Sequence, residues 1–172
     1  DRRASLLLAM HRITSSTGGL TEPQQAYAAI TAAIVNEIGL DTCLLLRGTS
    51  DQPQLMAGSG YDTSLNFTPM LAQHNPVQHV LTENLPVLVP ELDKSGWRTS
   101  PLMQHLGLQS FLAVPVPWRD QQGCLLAGFA LHSPHQLTND HLDTLNLLAN
   151  HIGITNENIG LYRELRTLQD LN

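Results

Sequence analysis

Between Gly107 and His132, the chain shows two long apolar runs separated by a short polar stretch: GLQSFLAVPVPWRDQQGCLLAGFALH. The polar stretch contains Arg119, Asp120 and Gly123, a composition that predicts a turn between two strands. Nearly every position of both runs is apolar, which is typical of strands that are covered on both faces. The pattern therefore predicts a hairpin in the middle of a sheet, which we call the central hairpin.

The two faces of the central hairpin differ in side-chain size. We expect a turn that sets Pro117 opposite Cys124. One face then carries bulky residues that suit packing on helices: Leu112, Val114, Val116, Leu125, Ala127, Phe129 and Leu131. The other face carries small residues with larger rings at one end: Phe111, Ala113, Gly128, Ala130 and His132. Small residues leave room either for a ligand or for the close approach of a helix, and the pattern favours neither.

Two helices and then two strands are predicted before the central hairpin. Residues 2–16 carry apolar side chains at helical spacing. Thr21 has the form of an N-cap in a capping box for the second helix, and Gly39 suits the end of that helix. Residues 41–47 and 54–59 are apolar runs joined by a turn with Gly and Pro, which predicts a first hairpin.

Short helices and one short strand are predicted between the two hairpins. Thr68, Asn75 and Ser100 each precede a proline, and proline is favoured at the first position of a helix. Residues 85–90, LPVLVP, are bounded by prolines, so we expect a strand at the edge of the sheet. Gly107 suits the end of the last short helix. Such helices over one face of a sheet are a common place for a cavity and its lid.

One long helix is predicted from residue 138 to residue 172. Its leucines and isoleucines recur every seven residues in two series, one of which is Leu145, Ile152 and Ile159. Packing on one sheet requires only one stripe, so we interpret the other as a self-association seam. The alternative is a helix covered by the sheet and by the N-terminal helix. The predicted seam comprises Leu6, Met10, Ile13, Leu147, Ile154, Leu161 and Leu168.

Composition and charge limit the classes of partner. With 172 residues, 42% of them hydrophobic, the chain fits one domain with a substantial core. The formal charge of -6 gives no electrostatic attraction to nucleic acid or anionic lipid, so we expect neither as a partner. No apolar run reaches the roughly 20 residues that cross a bilayer. Cys43 and Cys124 fall in predicted strands, which indicates a reducing, cytoplasmic compartment.

The order of the predicted elements resembles that of the GAF domain family. The similarity is carried by residues 107–132 and by residues 137–165, LTNDHLDTLNLLANHIGITNENIGLYREL. These resemble the family's "lg-x-s-x-l-x-vP" strand, its glycine-led following strand and its "lA-x-x-i-x-x-A-i-x-N-x-x-L-Y" helix. The resemblance covers residues 1–172 as a single domain. Within it, residues 1–17 form an N-terminal bundle helix, and residues 138–172 form a C-terminal helix that leads to an output domain outside this sequence.

The resemblance implies an α+β sandwich. Its central, mainly antiparallel sheet has about five or six strands. The N- and C-terminal helices form a bundle on one face, and short helices cover a ligand cavity on the other. The implied cavity residues are Phe67, Leu71, His74, Leu88, Trp97, Arg98, Met103, His105, Phe111, Ala113, Gly128, Ala130 and His132.

The resemblance also implies a regulatory role rather than catalysis by the domain itself. GAF domains sense small molecules or cofactors in sensor histidine kinases of two-component systems, in cyclic-dinucleotide enzymes and in transcription regulators. We therefore expect a small-molecule ligand and a homodimer formed through the N- and C-terminal helices. The alternative is a GAF domain that binds no ligand and only dimerises. A third hypothesis is a thiol enzyme similar to the free methionine sulfoxide reductases.

Two subfamily signatures are missing. Cyclic-nucleotide-binding GAF domains carry an Asn-Lys…Phe…Asp-Glu pattern, whereas here Leu137 stands near the Phe position and Asp140 is followed by His141. Bilin-binding members attach the chromophore through a cavity cysteine, and residues 61–106 contain none. The histidines near the helix start lack cysteine or carboxylate partners at a metal-ligand spacing, so we expect no metal. The cofactor and the ligand stay unknown from the sequence.

Overall fold

A computed structural model describes residues 2–17, 22–62, 64 and 66–170. Six helices and five strands follow one another along these ranges: α1 Arg2–Thr17, α2 Pro23–Ala33, β1 Thr42–Gly48, β2 Pro53–Ser59, α3 Thr68–Leu71, α4 Pro76–Glu83, β3 Val87–Val89, α5 Pro101–Leu106, β4 Leu108–Pro117, β5 Gln122–Ala130 and α6 Asn139–Asp170. A π-helical turn, Ile34–Ile38, extends α2, and a 3-10 turn, Leu92–Lys94, lies between β3 and α5. No helix in these ranges is both long and apolar enough to cross a membrane.

The five strands form one antiparallel sheet in the order β2-β1-β5-β4-β3. β5 is the central strand, and β4 lies between it and the edge strand β3. The expected α+β architecture is therefore confirmed, as are the central hairpin and the edge position of the proline-bounded strand.

The register of the central hairpin differs from the prediction by two residues. Pro117 pairs with Gln122, and Cys124 pairs with Pro115. The predicted pair of Pro117 and Cys124 is therefore wrong, because β5 begins earlier and the turn contains only residues 118–121. Side chains alternate with a period of two, so a shift of two residues leaves the side chains of β4 and β5 on their predicted faces. Leu131, which was predicted on the helix-packing face, instead lies beyond the end of β5 and is 53% exposed.

The two faces of the sheet bury two separate apolar clusters. One face packs against α1, α2 and α6, and its strand residues include Leu112, Val114, Val116, Leu125, Ala127 and Phe129. The other face packs against what we call the short-helix layer, which consists of α3, α4, the 3-10 turn and α5. Its strand residues include Leu44, Leu46, Phe111, Ala113, Cys124 and Leu126. Each strand of the hairpin thus contacts both layers, as its continuous hydrophobicity predicts.

Local capping signals explain most helix ends of the short-helix layer. The side chain of Asn75 accepts a hydrogen bond from the backbone N–H of Gln78 at 3.1 Å, and α4 begins at Pro76. Ser100 accepts in the same way from Met103 at 3.5 Å. Gly107 ends α5 with a φ of 66°, a left-handed conformation that suits glycine. These predictions are confirmed.

Two predicted helix starts need correction. α3 begins one residue early, with Phe67 at the N-cap position instead of Thr68. Asn66 accepts a hydrogen bond from the Thr68 N–H at 3.1 Å, which moves the capping interaction upstream. α2 begins at Pro23 with Glu22 at the N-cap position and no side-chain cap, so the predicted capping box does not form. The predicted cap Thr21 itself lies outside the described residues.

The predicted self-association seam divides between buried and exposed positions. Leu6 and Ile13 are 6% and 1% exposed, because α1 packs this stripe into the protein's own core. They cannot lie on a seam with a second molecule. On α6, Leu147, Ile154 and Leu168 are 47%, 60% and 59% exposed. The side chains of Met10 and Leu161 lie outside the described part of the chain.

Candidate functional site

Several predicted cavity residues meet in the short-helix layer. Phe111 lies on β4 and Met103 on α5, and both side chains are fully buried. They share one apolar cluster with Phe67, Leu71 and Ala113. The sheet and three short helices therefore bring these distant positions together, and their side chains fill the space between them.

Leu88 does not join this cluster. It pairs with Leu112 in the β3–β4 register and packs on the helix-bundle face of the sheet. Its neighbours Val87 and Val89 face the short-helix layer instead. All the residues of this short strand are apolar, so the sequence offers no alternation from which the face of Leu88 could be read.

Trp97 connects the short-helix layer to two exposed histidines. The ring of His74 stacks on Trp97 with 4.7 Å between centroids and 19° between planes. His79 makes an edge contact with the same indole at 5.8 Å. The exposed His105 makes a looser edge contact with Phe67 at 6.5 Å. Arg98, next to Trp97, is exposed. These side chains form a polar and aromatic rim outside the apolar cluster.

The small residues at the end of β5 have a structural cause. A Cβ atom on Gly128 would lie 2.2 Å from the carbonyl oxygen of Ser110, at a point where the β4–β5 register shifts. The space above Gly128 is therefore occupied by the β4 backbone, where a helix or a ligand was expected. Ala130 is half-buried at the strand end, and its N–H donates to Asp41 at 2.8 Å. His132 is exposed in the following turn.

A pocket of about 680 Å³ opens at the edge of the short-helix layer, between α3 and the β1–β2 turn. Phe67 and Leu71 line its apolar side, and Thr49, Asp51 and Gln52 line its polar side. Two of the predicted cavity residues, Phe67 and Leu71, therefore line a pocket that is open to solvent. This edge is the place where a small molecule can meet the apolar cluster of the short-helix layer.

Another pocket, of about 510 Å³, lies between the 3-10 turn and the segment that precedes α6. Ser110 lines this pocket, and its Oγ is buried with no hydrogen-bond partner among the described residues. A buried hydroxyl without a partner costs about 1 to 3 kcal/mol. This hydroxyl lies at the irregular part of β4, where the β4–β5 register shifts between Leu108 and Ser110.

The two cysteines lie on opposite faces of the sheet. Cys43 belongs to the helix-bundle cluster and Cys124 to the short-helix cluster, although their strands are neighbours. Both are fully buried, and burial raises the pKa of each thiol above its ordinary value, with the nearby Cys124 adding a smaller contribution at Cys43. Side chains that point to opposite faces cannot form a disulfide without backbone movement. A thiol-based reaction therefore finds no support in this geometry.

Metal ions in proteins are commonly bound by His, Cys, Asp and Glu side chains. Within the described ranges, no group of three or more of these side chains is arranged to hold a metal ion.

The sequence analysis missed a pocket between the turn of the central hairpin and helices α2 and α6, which we call the turn pocket. Its volume is about 630 Å³. It is lined by Glu22, Pro23, Gln24, Tyr27, Arg47, Met56, Trp118, Arg119, Asp120, Gln121 and Asn156. The one sequence signal was Arg47, a charged residue near the end of an otherwise apolar strand, on the same face as the buried Cys43 and Leu45.

An aromatic and cationic cluster forms the inner wall of the turn pocket. A Cβ on Gly123 would lie 2.7 Å from the ring of Trp118, so glycine allows the indole to lie against β5. Arg47 pairs with Gly123 across the β1–β5 ladder, and its guanidinium carbon lies 5.6 Å from the Trp118 ring centroid. Tyr27 of α2 contacts the same indole with 5.4 Å between ring centroids. The hydroxyl of Tyr27 donates to Oδ1 of Asn156 on α6.

Comparison with known proteins identifies one family. The family model of the GAF domain matches residues 22–155. None of the curated proteins matches this sequence.

Among solved structures, the GAF domain of a phosphoenolpyruvate-protein phosphotransferase from Coxiella burnetii is 15% identical, with a TM-score of 0.76 over 95% of this chain and 99% of that one. The free methionine-R-sulfoxide reductase from Neisseria meningitidis, in complex with its substrate, is 17% identical, with a TM-score of 0.72 over 91% of each chain. The phycoerythrobilin-bound GAF domain of a cyanobacterial phytochrome is 13% identical, with a TM-score of 0.70 over 92% and 97%. At these identities the likeness concerns the fold.

Proposed function

The chain belongs to the GAF domain family, and from this premise we propose that it is a ligand-sensing regulatory domain of a cytoplasmic signalling protein. Structures with the same fold include a bilin-bound domain from a phytochrome and a substrate-bound enzyme, so this architecture is able to accommodate small molecules. Here the proposed output is a change in the helix bundle rather than a reaction.

The observation that carries the proposal is the two-sided packing of the central hairpin. Ala113 and Leu126 are paired residues that face the short-helix layer. Val114 and Leu125, the next pair along the hairpin, face α2 and α6. A ligand that displaces the hairpin from the short-helix side would therefore also move the residues that pack on α6, which we call the exit helix. Close-packed interiors transmit such shifts rather than absorb them.

The proposed ligand enters through the pocket that Phe67 and Leu71 line and contacts the apolar cluster behind it. In the proposed mechanism, binding favours one arrangement of the segment from Trp97 to Leu106, which holds Met103 and His105. The free protein samples two arrangements of this segment, and the ligand stabilises one of them. The population of that arrangement rises, and the packing of α1 and α6 changes with it. The proposed contact residues are Phe67, Leu71, His74, Trp97, Arg98, Met103, His105, Phe111 and Ala113.

The test is native mass spectrometry together with an absorption spectrum of freshly purified protein. We expect a retained small molecule, seen as added mass or as absorption beyond that of the protein. Met103→Trp, which fills the proposed site, should lose that molecule, whereas Leu85→Ala, at an exposed position, should keep it. Protein without added mass that also shows no thermal stabilisation by any member of a metabolite library would contradict ligand sensing.

A dimerisation scaffold without a ligand is the second candidate function. It is favoured by the complete burial of Phe111 and Met103, whose side chains already fill the short-helix layer. Met103→Ala separates the two candidates. In a scaffold it creates a cavity that lowers the free energy of unfolding by about 2 to 5 kcal/mol and leaves the mass of the dimer unchanged. In a sensor, the same substitution also changes the affinity for the retained molecule.

A further inference from the structure

We propose that the turn pocket is a second binding site, which takes a small oxyanion: a metabolite that carries a phosphate or carboxylate group. This site lies on the opposite face of the sheet from the short-helix layer, and it does not depend on a ligand there. Its anchor is the guanidinium of Arg47.

Arg47 is half-buried but has no acidic partner. None of the carboxylates in the described ranges lies within ion-pair distance of its guanidinium, and no hydrogen bond from it to another described residue is present. Its contact with Trp118 holds the guanidinium plane at the pocket wall without using its N–H groups. A partly desolvated arginine with free N–H groups is well suited to bind an oxyanion through paired hydrogen bonds.

The start of α2 adds a second positive element. Glu22, Pro23 and Gln24 line the pocket, and the N-cap residue Glu22 provides no side-chain hydrogen bond to the first turn. The first N–H groups of an uncapped helix, together with its dipole, favour an anion. An oxyanion between Arg47 and this helix start would receive hydrogen bonds from both sides.

The other charged side chains of the turn pocket are less available to a ligand than Arg47. Arg119 lies 3.9 Å from Glu157 at the rim, so part of its charge is already compensated. The carboxylates of Glu22 and Asp120 are exposed, and solvent screens them more than it screens Arg47. We therefore infer a small ligand whose anionic group faces Arg47 and whose polar body contacts the amides of Gln24 and Gln121.

The site also borders the exit helix. Asn156 of α6 and Tyr27 of α2 line the pocket and are hydrogen-bonded to each other. A bound oxyanion would therefore contact the elements that hold α6 against the domain, and it would stabilise their packing.

The test measures the fluorescence of the tryptophan that lies in the turn pocket. The chain has two tryptophans, Trp97 in the short-helix layer and Trp118 in the turn pocket. Trp97→Phe leaves Trp118 as the only reporter, and its emission is titrated with inorganic phosphate, pyrophosphate and citrate against sodium chloride of equal ionic strength. We expect saturable quenching by at least one of the three anions, and the anion that acts distinguishes a phosphate from a carboxylate ligand.

Variants of the same protein locate the site. Adding Arg47→Gln should weaken the response at least about tenfold, as expected for a lost charge-assisted pair, and Arg47→Lys should weaken it less. Arg166→Gln, at an exposed arginine outside the pocket, should leave it unchanged. Thermal stabilisation of the unmodified protein by the same anion gives an independent measure. A response that sodium chloride reproduces, that no anion saturates, or that Arg47→Gln leaves intact would overturn the proposal.

Discussion

Asn156 of α6 donates a hydrogen bond from Nδ2 to the carbonyl oxygen of Pro117 at 3.2 Å. Its Oδ1 accepts the hydroxyl hydrogen of Tyr27. One buried amide therefore ties the exit helix both to the turn of the central hairpin and to α2. Gly153 lies one helical turn earlier, where a Cβ would be 2.9 Å from the ring of Pro117. Glycine at this position of α6 therefore allows the helix to approach Pro117 closely.

Replacing Asn156 tests the strength of this junction. Asn156→Ala removes both hydrogen bonds from a buried position, so we expect the free energy of unfolding to fall by about 1 to 3 kcal/mol. Urea denaturation followed by circular dichroism measures the change. Asn150→Ala, at an exposed position of the same helix, should change it by less than about 0.5 kcal/mol. Equal stabilities for the two variants would show that the junction contributes little.

Gly128 offers a test of whether its neighbourhood is free space or packed backbone. Gly128→Ala would place a methyl group 2.2 Å from the Ser110 carbonyl oxygen, which cannot move without shifting β4. We expect a loss of more than about 2 kcal/mol in the free energy of unfolding. Gly96→Ala is the control, since a Cβ there meets no atom within 4 Å. If Gly128→Ala is as stable as Gly96→Ala, the space beside Gly128 is open rather than filled by backbone.

The buried thiols predict how stability depends on pH. Burial raises the pKa of Cys43 and Cys124, so both stay protonated in the folded protein while they ionise in the unfolded chain above about pH 8.5. The folded state then binds more protons, and the free energy of unfolding falls as the pH rises, by up to about 1.4 kcal/mol per pH unit for each thiol.

Denaturation curves between about pH 8 and pH 10 measure this slope. Other groups also ionise in this range, so the comparison is with the double variant Cys43→Ala and Cys124→Ala. Its slope should be shallower by up to about 2.7 kcal/mol per pH unit, the sum of two thiols. Parallel slopes would mean that both thiols ionise in the folded protein as they do in the unfolded chain, and they would revive a thiol-based reaction.

Signals that act over a few residues predicted much of the fold. The caps at Asn75 and Ser100 lie within three residues of the N–H groups they accept from, so the sequence displays the whole interaction. The faces of the central hairpin were likewise visible, because alternation survives a register shift of two residues. The register itself was not visible, since the turn after Pro117 has no residue pair that selects one loop length.

The site was harder to predict because it depends on distant segments. Phe67, Met103 and Phe111 were placed together correctly, as apolar residues of one layer. Leu88 was misplaced because a three-residue apolar strand carries no alternation. The turn pocket requires Arg47, Tyr27 and Asn156, which lie on three elements far apart in the chain. Their proximity follows from the strand order of the sheet and from the packing of α6. No short sequence pattern could have predicted it.

The exposed stripe on α6 leads to a prediction about assembly. Leu147, Ile154 and Leu168 repeat at intervals of seven or fourteen residues and are about half or more exposed, although the opposite face of the helix is buried. We expect a homodimer in which these stripes face each other, because burial of such leucines and isoleucines in a seam is favourable. Light scattering coupled to size-exclusion chromatography should give a mass near twice the 18.9 kDa of the chain.

Ile154→Glu tests the seam, because related copies would bring two glutamates together in an apolar interface. We expect the mass to fall to that of one chain, with an unchanged circular dichroism spectrum, since Ile154 is 60% exposed. Leu85→Glu is the matched control: Leu85 is 59% exposed, against 60% for Ile154, and it lies outside the helix bundle. A dimer that survives Ile154→Glu would place the interface elsewhere, and a monomer in the unmodified protein at high concentration would exclude the seam.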